Sequence, residues 1–155
     1  MAGRTSGSEI RKTNLRSEDQ MLLIFEAARD HGHLPQNIAH ALVYLTKEAR
    51  LLPFLRYDFQ RYFGPYDKNL QMDMDVAHDI GRLDRKTTTL SPMLYAYRIT
   101  DKGTEFTLEI RGKIDNFDEV KQFVDEKMKA GEDVVLDDAY ARLSRQIGEE
   151  IGADT

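Results

Sequence analysis

The sequence predicts a mainly α-helical fold with a small antiparallel β-hairpin. Three observations carry that prediction. Apolar residues recur at helical spacing through most of the chain, a short strand-like run at 94–99 follows a polar turn, and the apolar content of 41% is enough for a packed core. At 155 residues the chain is one ordinary domain, or a domain of about 100 residues with an appendage.

Residues 1–16 are small, polar and mildly basic (Arg4, Arg11, Lys12, Arg16), and read as a flexible N-terminal arm or, more sharply, as a basic arm touching phosphate. Ser17 or Asp19 caps a first helix, whose buried stripe is Met21, Leu22, Ile24, Phe25 and Ala28. It should stop near Asp30-His31-Gly32, because glycine is the favoured terminator. Pro35 opens a second helix, with Ile38, Ala41, Leu42, Leu45 and Ala49 facing the core and Lys47-Glu48 facing solvent. The short connection between the two makes them close neighbours crossing at an angle.

Residues 54–62 alternate imperfectly. As a strand they would place Tyr57, Phe59 and Arg61 on one face; an extended connector is equally allowed. The chain then turns at Gly64-Pro65 into a third helix within 67–83, capped by Asp67 and carrying Leu70, Met74, Ala77 and Ile80 at helical spacing. Residues 82–85 and 94–99 flank a polar turn and make a hairpin, closed by Thr100-Asp101-Lys102-Gly103. A fourth helix from Thr104 would carry Phe106, Leu108 and Ile110 in an open register. Asp115 or Asn116 caps a fifth, with Phe117, Val120, Phe123, Val124 and Met128 apolar and Gly131 at its end. A last helix starts from Asp137, with Ala139, Tyr140, Leu143, Ile147 and Ile151 three to four apart.

Helix, helix, strand-like connector, helix and hairpin is the order of a winged helix-turn-helix domain. On that reading the winged domain spans 17–103, and 104–155 is a helical extension. The run Tyr62-Phe63-Gly64-Pro65-Tyr66-Asp67, followed by Leu70, Asp73 and Leu83, resembles the "YGPYS, leucine, aspartate-leucine, leucine" pattern of small prokaryotic winged-helix proteins, the YwgA-like group and, more distantly, the SocA-like antitoxin (Panacea) group. Tyr97-Arg98-Ile99-Thr100-Asp101-Lys102-Gly103 is similar to the "Y-x-L-T-x-x-G" close of the wing in many winged-helix regulators. The resemblance covers about residues 22–103. Phe63 and Asp67 depart from it, standing where those families have tyrosine and serine, and nothing after Thr104 matches. Each matched residue also has a folding role. Gly64 supplies positive φ or close backbone approach, and Pro65 fixes the helix entry. Tyr66 packs on Leu70 across the Asp67 cap, and Gly103 ends the second wing strand.

Composition narrows the chemistry. The chain lacks cysteine, which removes disulfides, thiolate nucleophiles and the common structural zinc sites, and fits a cytoplasmic protein. No apolar run approaches the roughly 20 residues of a bilayer span, and the N-terminal stretch has no apolar signal core, so neither a membrane partner nor secretion is expected. His31, His33, His40 and His78 do not form a metal-ligand pattern, and the sequence shows no catalytic constellation or phosphate-cradling loop. A non-enzymatic protein without cofactor or metal is therefore expected.

Charge divides two functional readings. Net charge is −5, but residues 1–102 hold 15 Lys/Arg against 13 Asp/Glu while residues 103–155 hold 7 against 14. A double-stranded DNA-binding regulator would use the third helix, with Asn69 and Gln71 as base readers and Lys68 and Arg82 on phosphate. It would also use the wing, where Arg85, Lys86 and Arg98 contribute to a local net of +3 over residues 82–102, although a merely solvated hairpin has the same composition. Asp75 and Asp79 on the outward face oppose that use, since a carboxylate facing a duplex meets phosphate repulsion. They favour the second reading, a protein–protein adaptor or antitoxin-like module with an acidic docking face. The apolar tail helices either fold back to complete the core or pair in a homodimer.

Overall fold

The computed structural model describes residues 14–61, 64–88 and 95–153, with side chains described through residue 148. Among these residues six helices pack with a small three-stranded antiparallel sheet, and a second, two-stranded ribbon rests on two of the helices. Arg4, Arg11 and Lys12 of the expected arm, Tyr62 and Phe63 of the aromatic run, most of the hairpin tip and the Ile151 side chain lie outside the described residues.

Helix α1 (Ser17–Ala27) ends where expected, in a single 3-10 turn before Gly32. Its cap differs. Arg16 occupies the N-cap position, and the Ser17 hydroxyl instead accepts from the Arg56 amide at 3.0 Å. Leu34–Pro35 forms a short strand, β1, from which α2 (Gln36–Glu48) departs with Pro35 as N-cap. This helix is buried from Ile38 to Thr46, well beyond the expected stripe, because other elements cover it on several sides; Ala49, assigned to the core from spacing, is exposed. Lys47 does not face solvent either. Its ammonium donates to the carbonyls of Phe54 and Tyr57 and clamps the loop that follows.

That loop is not the alternating strand. Tyr57 is fully buried and stacks on Phe54, whereas Arg61 is exposed, so the two do not share a face. Among the described residues of this segment Gln60–Arg61 (β2) forms a strand, paired with Pro65–Tyr66 (β3). Gly64 between them has φ 126°, and a Cβ there would meet nothing within 4 Å: glycine is required by backbone conformation, not by crowding.

Helix α3 (Lys68–Asp79) begins as predicted. The Asp67 carboxylate accepts from the Leu70 amide at 2.8 Å and, through its other oxygen, from the Asp58 amide at 3.0 Å. Leu70, Met74 and Ala77 are buried; Ile80, the fourth member of the expected stripe, is 44% exposed. Strands β4 (Leu83–Thr87) and β5 (Tyr95–Ile99) pair antiparallel with Leu83 opposite Ile99, and β1 adds to the far side of β5.

Gly103 does not end a strand. Helix α4 (Asp101–Ile110) starts three residues before the expected Thr104, with the Thr100 hydroxyl accepting from the Gly103 amide at 3.0 Å. Gly103 thus lies in the first helical turn, where a Cβ would stand 2.3 Å from the Arg82 carbonyl oxygen and 2.6 Å from Ile99 Cγ1. Close packing of α4 on the hairpin base demands the glycine.

The tail helices are α5 (Phe117–Ala130), ended by Gly131 as predicted, and α6 (Glu132–Ala153), which begins five residues before Asp137. Asn116 holds the N-cap position of α5, yet its side chain donates to the Leu51 carbonyl at 2.7 Å and ties the tail to the body. Val120, Val124, Val135, Ala139 and Leu143 are buried in the same apolar cluster as Phe25, Leu42 and Tyr97. The tail helices therefore fold back onto the body and share its core, while Val134 and Tyr140 remain 53% and 45% exposed. Among the described residues no helix is long and apolar enough to cross a membrane.

Candidate docking surface on the third helix

Helix α3 carries the candidate site, and the Asp67 cap fixes which of its residues point outward. The predicted base readers do not project freely. Gln71 lies in a relay of largely part-buried hydrogen bonds. The Asp67 amide donates to His40 Nδ1 at 3.2 Å, so the ring hydrogen sits on Nε2, which donates to Gln71 Oε1 at 3.0 Å. Gln71 Nε2 then donates to the Tyr97 hydroxyl at 3.0 Å, and that hydroxyl donates to Asp75 Oδ1 at 2.5 Å. Arg85 Nη1 completes the relay at 3.2 Å from the same carboxylate oxygen. Burial lowers the His40 pKa, which favours the neutral ring, and raises that of the Tyr97 hydroxyl.

Asn69, Arg82 and Arg98 are also engaged. Asn69 Nδ2 donates to the Arg56 carbonyl at 3.4 Å, the Arg82 guanidinium lies 3.7 Å above the Phe106 ring, and Arg98 Nε donates to the Arg29 carbonyl at 3.1 Å. Arg85 additionally covers the Tyr95 ring at 4.4 Å. Lys68 at the helix start and Lys86 on β4 are exposed, on separate elements. Asp75, expected to repel a duplex, is held by Arg85 and Tyr97; Asp79 remains exposed beside His78.

What α3 presents instead is apolar. Met72, Val76 and Ile80 are 52%, 47% and 44% exposed and stand four residues apart, hence on one face. Their sequence signal was present, since Met72 and Val76 are apolar at helical spacing, but the stronger Leu70–Met74–Ala77 stripe occupied the inward face. Beside them a groove of about 290 Å³ opens between α1 and α3, with Met21, Leu22 and Ala77 among its apolar lining and Arg16, Glu18, Asp19, Asp73 and Arg82 as its polar members.

A turn at Leu55, 81% exposed, stands at the N-terminal end of this face. Its neighbour Arg56 is tied to Ser17, Asn69 and Asp73, the last at 3.5 Å, and Phe54 before it takes a φ of 42° rare for a bulky residue. The Asp73 carboxylate is buried, accepts from the Tyr57 hydroxyl at 2.7 Å, and has its pKa raised by desolvation. Asp67 and Asp73, two motif residues of the sequence, are thus structural.

Among the described residues no group of three or more His, Asp or Glu is placed to hold a metal ion. Compared with known proteins, the chain matches no family model, and no curated protein matches it in sequence.

Proposed function

We propose that this chain is a non-enzymatic docking module, an adaptor or antitoxin-like protein on a winged-helix scaffold, which binds a protein partner through the outward face of α3. One observation carries the reading: Met72, Val76 and Ile80 form an exposed apolar stripe, while Gln71, the best-placed base reader, is held between His40 and Tyr97. The order β1-β5-β4, with β1 between the first two helices, supports the winged-helix scaffold, as do the motif residues from Gly64 to Leu83. One feature departs from a simple helix-turn-helix: residues 49–67, rather than a turn of about 3–4 residues, join α2 to α3.

DNA binding through the wing is the second reading, favoured by the exposure of Lys86 and Arg98 on the hairpin. Titration of random-sequence duplex DNA against the full chain and its Arg85→Ala/Lys86→Ala variant separates the two. The docking reading predicts no salt-dependent binding at low ionic strength. Tight binding that falls with salt and weakens in the variant contradicts it.

A further inference from the structure

We propose that the outward face of α3 receives the same face of a second copy of this chain, the two helices running antiparallel about a two-fold axis near Met72 and Val76. This names the partner of the docking surface and rests on that reading.

The α3 face carries its own complement. Lys68 and Asp79 are the first and last residues of the helix, both exposed, and lie about three turns apart. They therefore stand on one edge of the Met72–Val76–Ile80 stripe, a cation at its start and a carboxylate at its end. Asp75 lies on that edge between them, already paired with Arg85 at 3.2 Å. A two-fold axis perpendicular to the helix keeps the edge and reverses its direction. Lys68 then meets the partner's Asp79, Asp79 meets the partner's Lys68, and Met72 packs on the partner's Val76. Leu55, 81% exposed at the N-terminal end of the face, falls toward the partner's Ile80 and the partner's Phe106, which border the groove at the other end.

Two features select this occupant, and a third sets its direction. Residues four apart form the ridge by which helices interlock, so the stripe is shaped for another helix. A uniformly basic or acidic segment would meet one matched end and one repelling end, whereas the reversed copy matches both. A parallel arrangement would set like charges together and align the helix dipoles, so the antiparallel one is favoured. One helix face with exposed ion pairs makes a small interface, and pairing is weak and reversible.

Sedimentation of the full chain at roughly 5–500 μM tests this, a span suited to weak pairing. The native chain should pass from monomer to dimer with concentration. Val76→Ser should weaken the dimer by about tenfold or more, since both copies lose the contact. Lys68→Glu and Asp79→Lys should each weaken it by about threefold or more, because one reversal turns two exposed attractions into repulsions. An equimolar mixture of the two charge variants should regain native pairing, since the mixed dimer restores opposite charges at both ends. Both reversals suit the helix dipole, acid at the start and base at the end, so neither should unfold α3. A mixture no stronger than its components overturns the two-fold pairing. A dimer indifferent to Val76→Ser but dissolved by Tyr140→Ser places the interface on α6 and overturns it as well. A monomer at every concentration overturns the second copy; docking through α3 then stands only if a leucine-rich peptide still shifts the amides around Met72, Val76 and Ile80.

Discussion

The hydroxyl of Tyr97 on β5 donates to Asp75 on α3 at 2.5 Å while accepting from Gln71 of the same helix. One buried ring therefore fixes how α3 sits on the hairpin. It also engages in hydrogen bonds a glutamine and a carboxylate, both half-buried, that helix periodicity alone places outward.

Replacing Tyr97 by Phe keeps the buried ring but removes the hydroxyl, leaving Gln71 Nε2 and Asp75 each short of a partner. The expected loss is about 1–3 kcal/mol in equilibrium urea unfolding. A loss below a few tenths would show that the relay adds nothing.

Acid should weaken the fold through His40. Its Nδ1 must accept from the Asp67 amide, so a second ring proton breaks that bond, and burial lowers its folded pKa from the ordinary value of 6.5; only the nearby Asp67 charge and the Gln71 bond oppose the shift. The unfolded chain takes up the proton first. The stabilising term is complete above pH 6.5 and declines as pH falls through and below that value. Asp73 acts oppositely, since a raised carboxylate pKa lets the folded state bind its proton first. Unfolding free energies measured between about pH 7.5 and 5 should decline for the native chain and flatten in His40→Gln. Equal slopes would contradict this.

Two glycines should respond to alanine with opposite signs. Both lie in helices, where alanine is intrinsically better by about 0.8–1 kcal/mol. Gly148 in α6 has open space around it, so Gly148→Ala should raise the melting temperature. At Gly103 the added methyl meets the Arg82 backbone, so Gly103→Ala should cost about 1–3 kcal/mol despite its helical position. Thermal melts of the two variants provide the check.

The tail helices should be inseparable from the body. Leu143 is 4% exposed in a cluster shared with α1 and α2, so Leu143→Ala should destabilise the whole chain by about 2–4 kcal/mol in a single transition. A separate low-temperature transition, with the rest unchanged, would mark α6 as an independent appendage.

How much of this was legible follows from the range of each signal. The Asp67 cap, the hairpin strand at Tyr95–Ile99 and the stop at Gly131 are set by residues within one turn of each other, and all stand in the structure. The all-round burial of α2, the pairing of β1 with β5 and the glycine contact of α4 depend on elements far away in sequence. The candidate site was least legible, because its decisive facts are tertiary. Gln71 is turned inward by His40 and Tyr97, residues 31 and 26 positions away, and Met72, Val76 and Ile80 stay uncovered where amphipathicity alone would have buried at least Ile80.

The most direct measurement is chemical-shift mapping of the amide signals of the full chain with a leucine-rich amphipathic peptide of about 14 residues and, separately, with random-sequence duplex DNA. A docking module predicts that the peptide shifts the amides around Met72, Val76 and Ile80, which are exposed on one face of α3, while the DNA shifts none of α3. DNA-induced shifts at Lys68, Asn69, Gln71, Arg85 and Lys86, with the peptide silent, would contradict it.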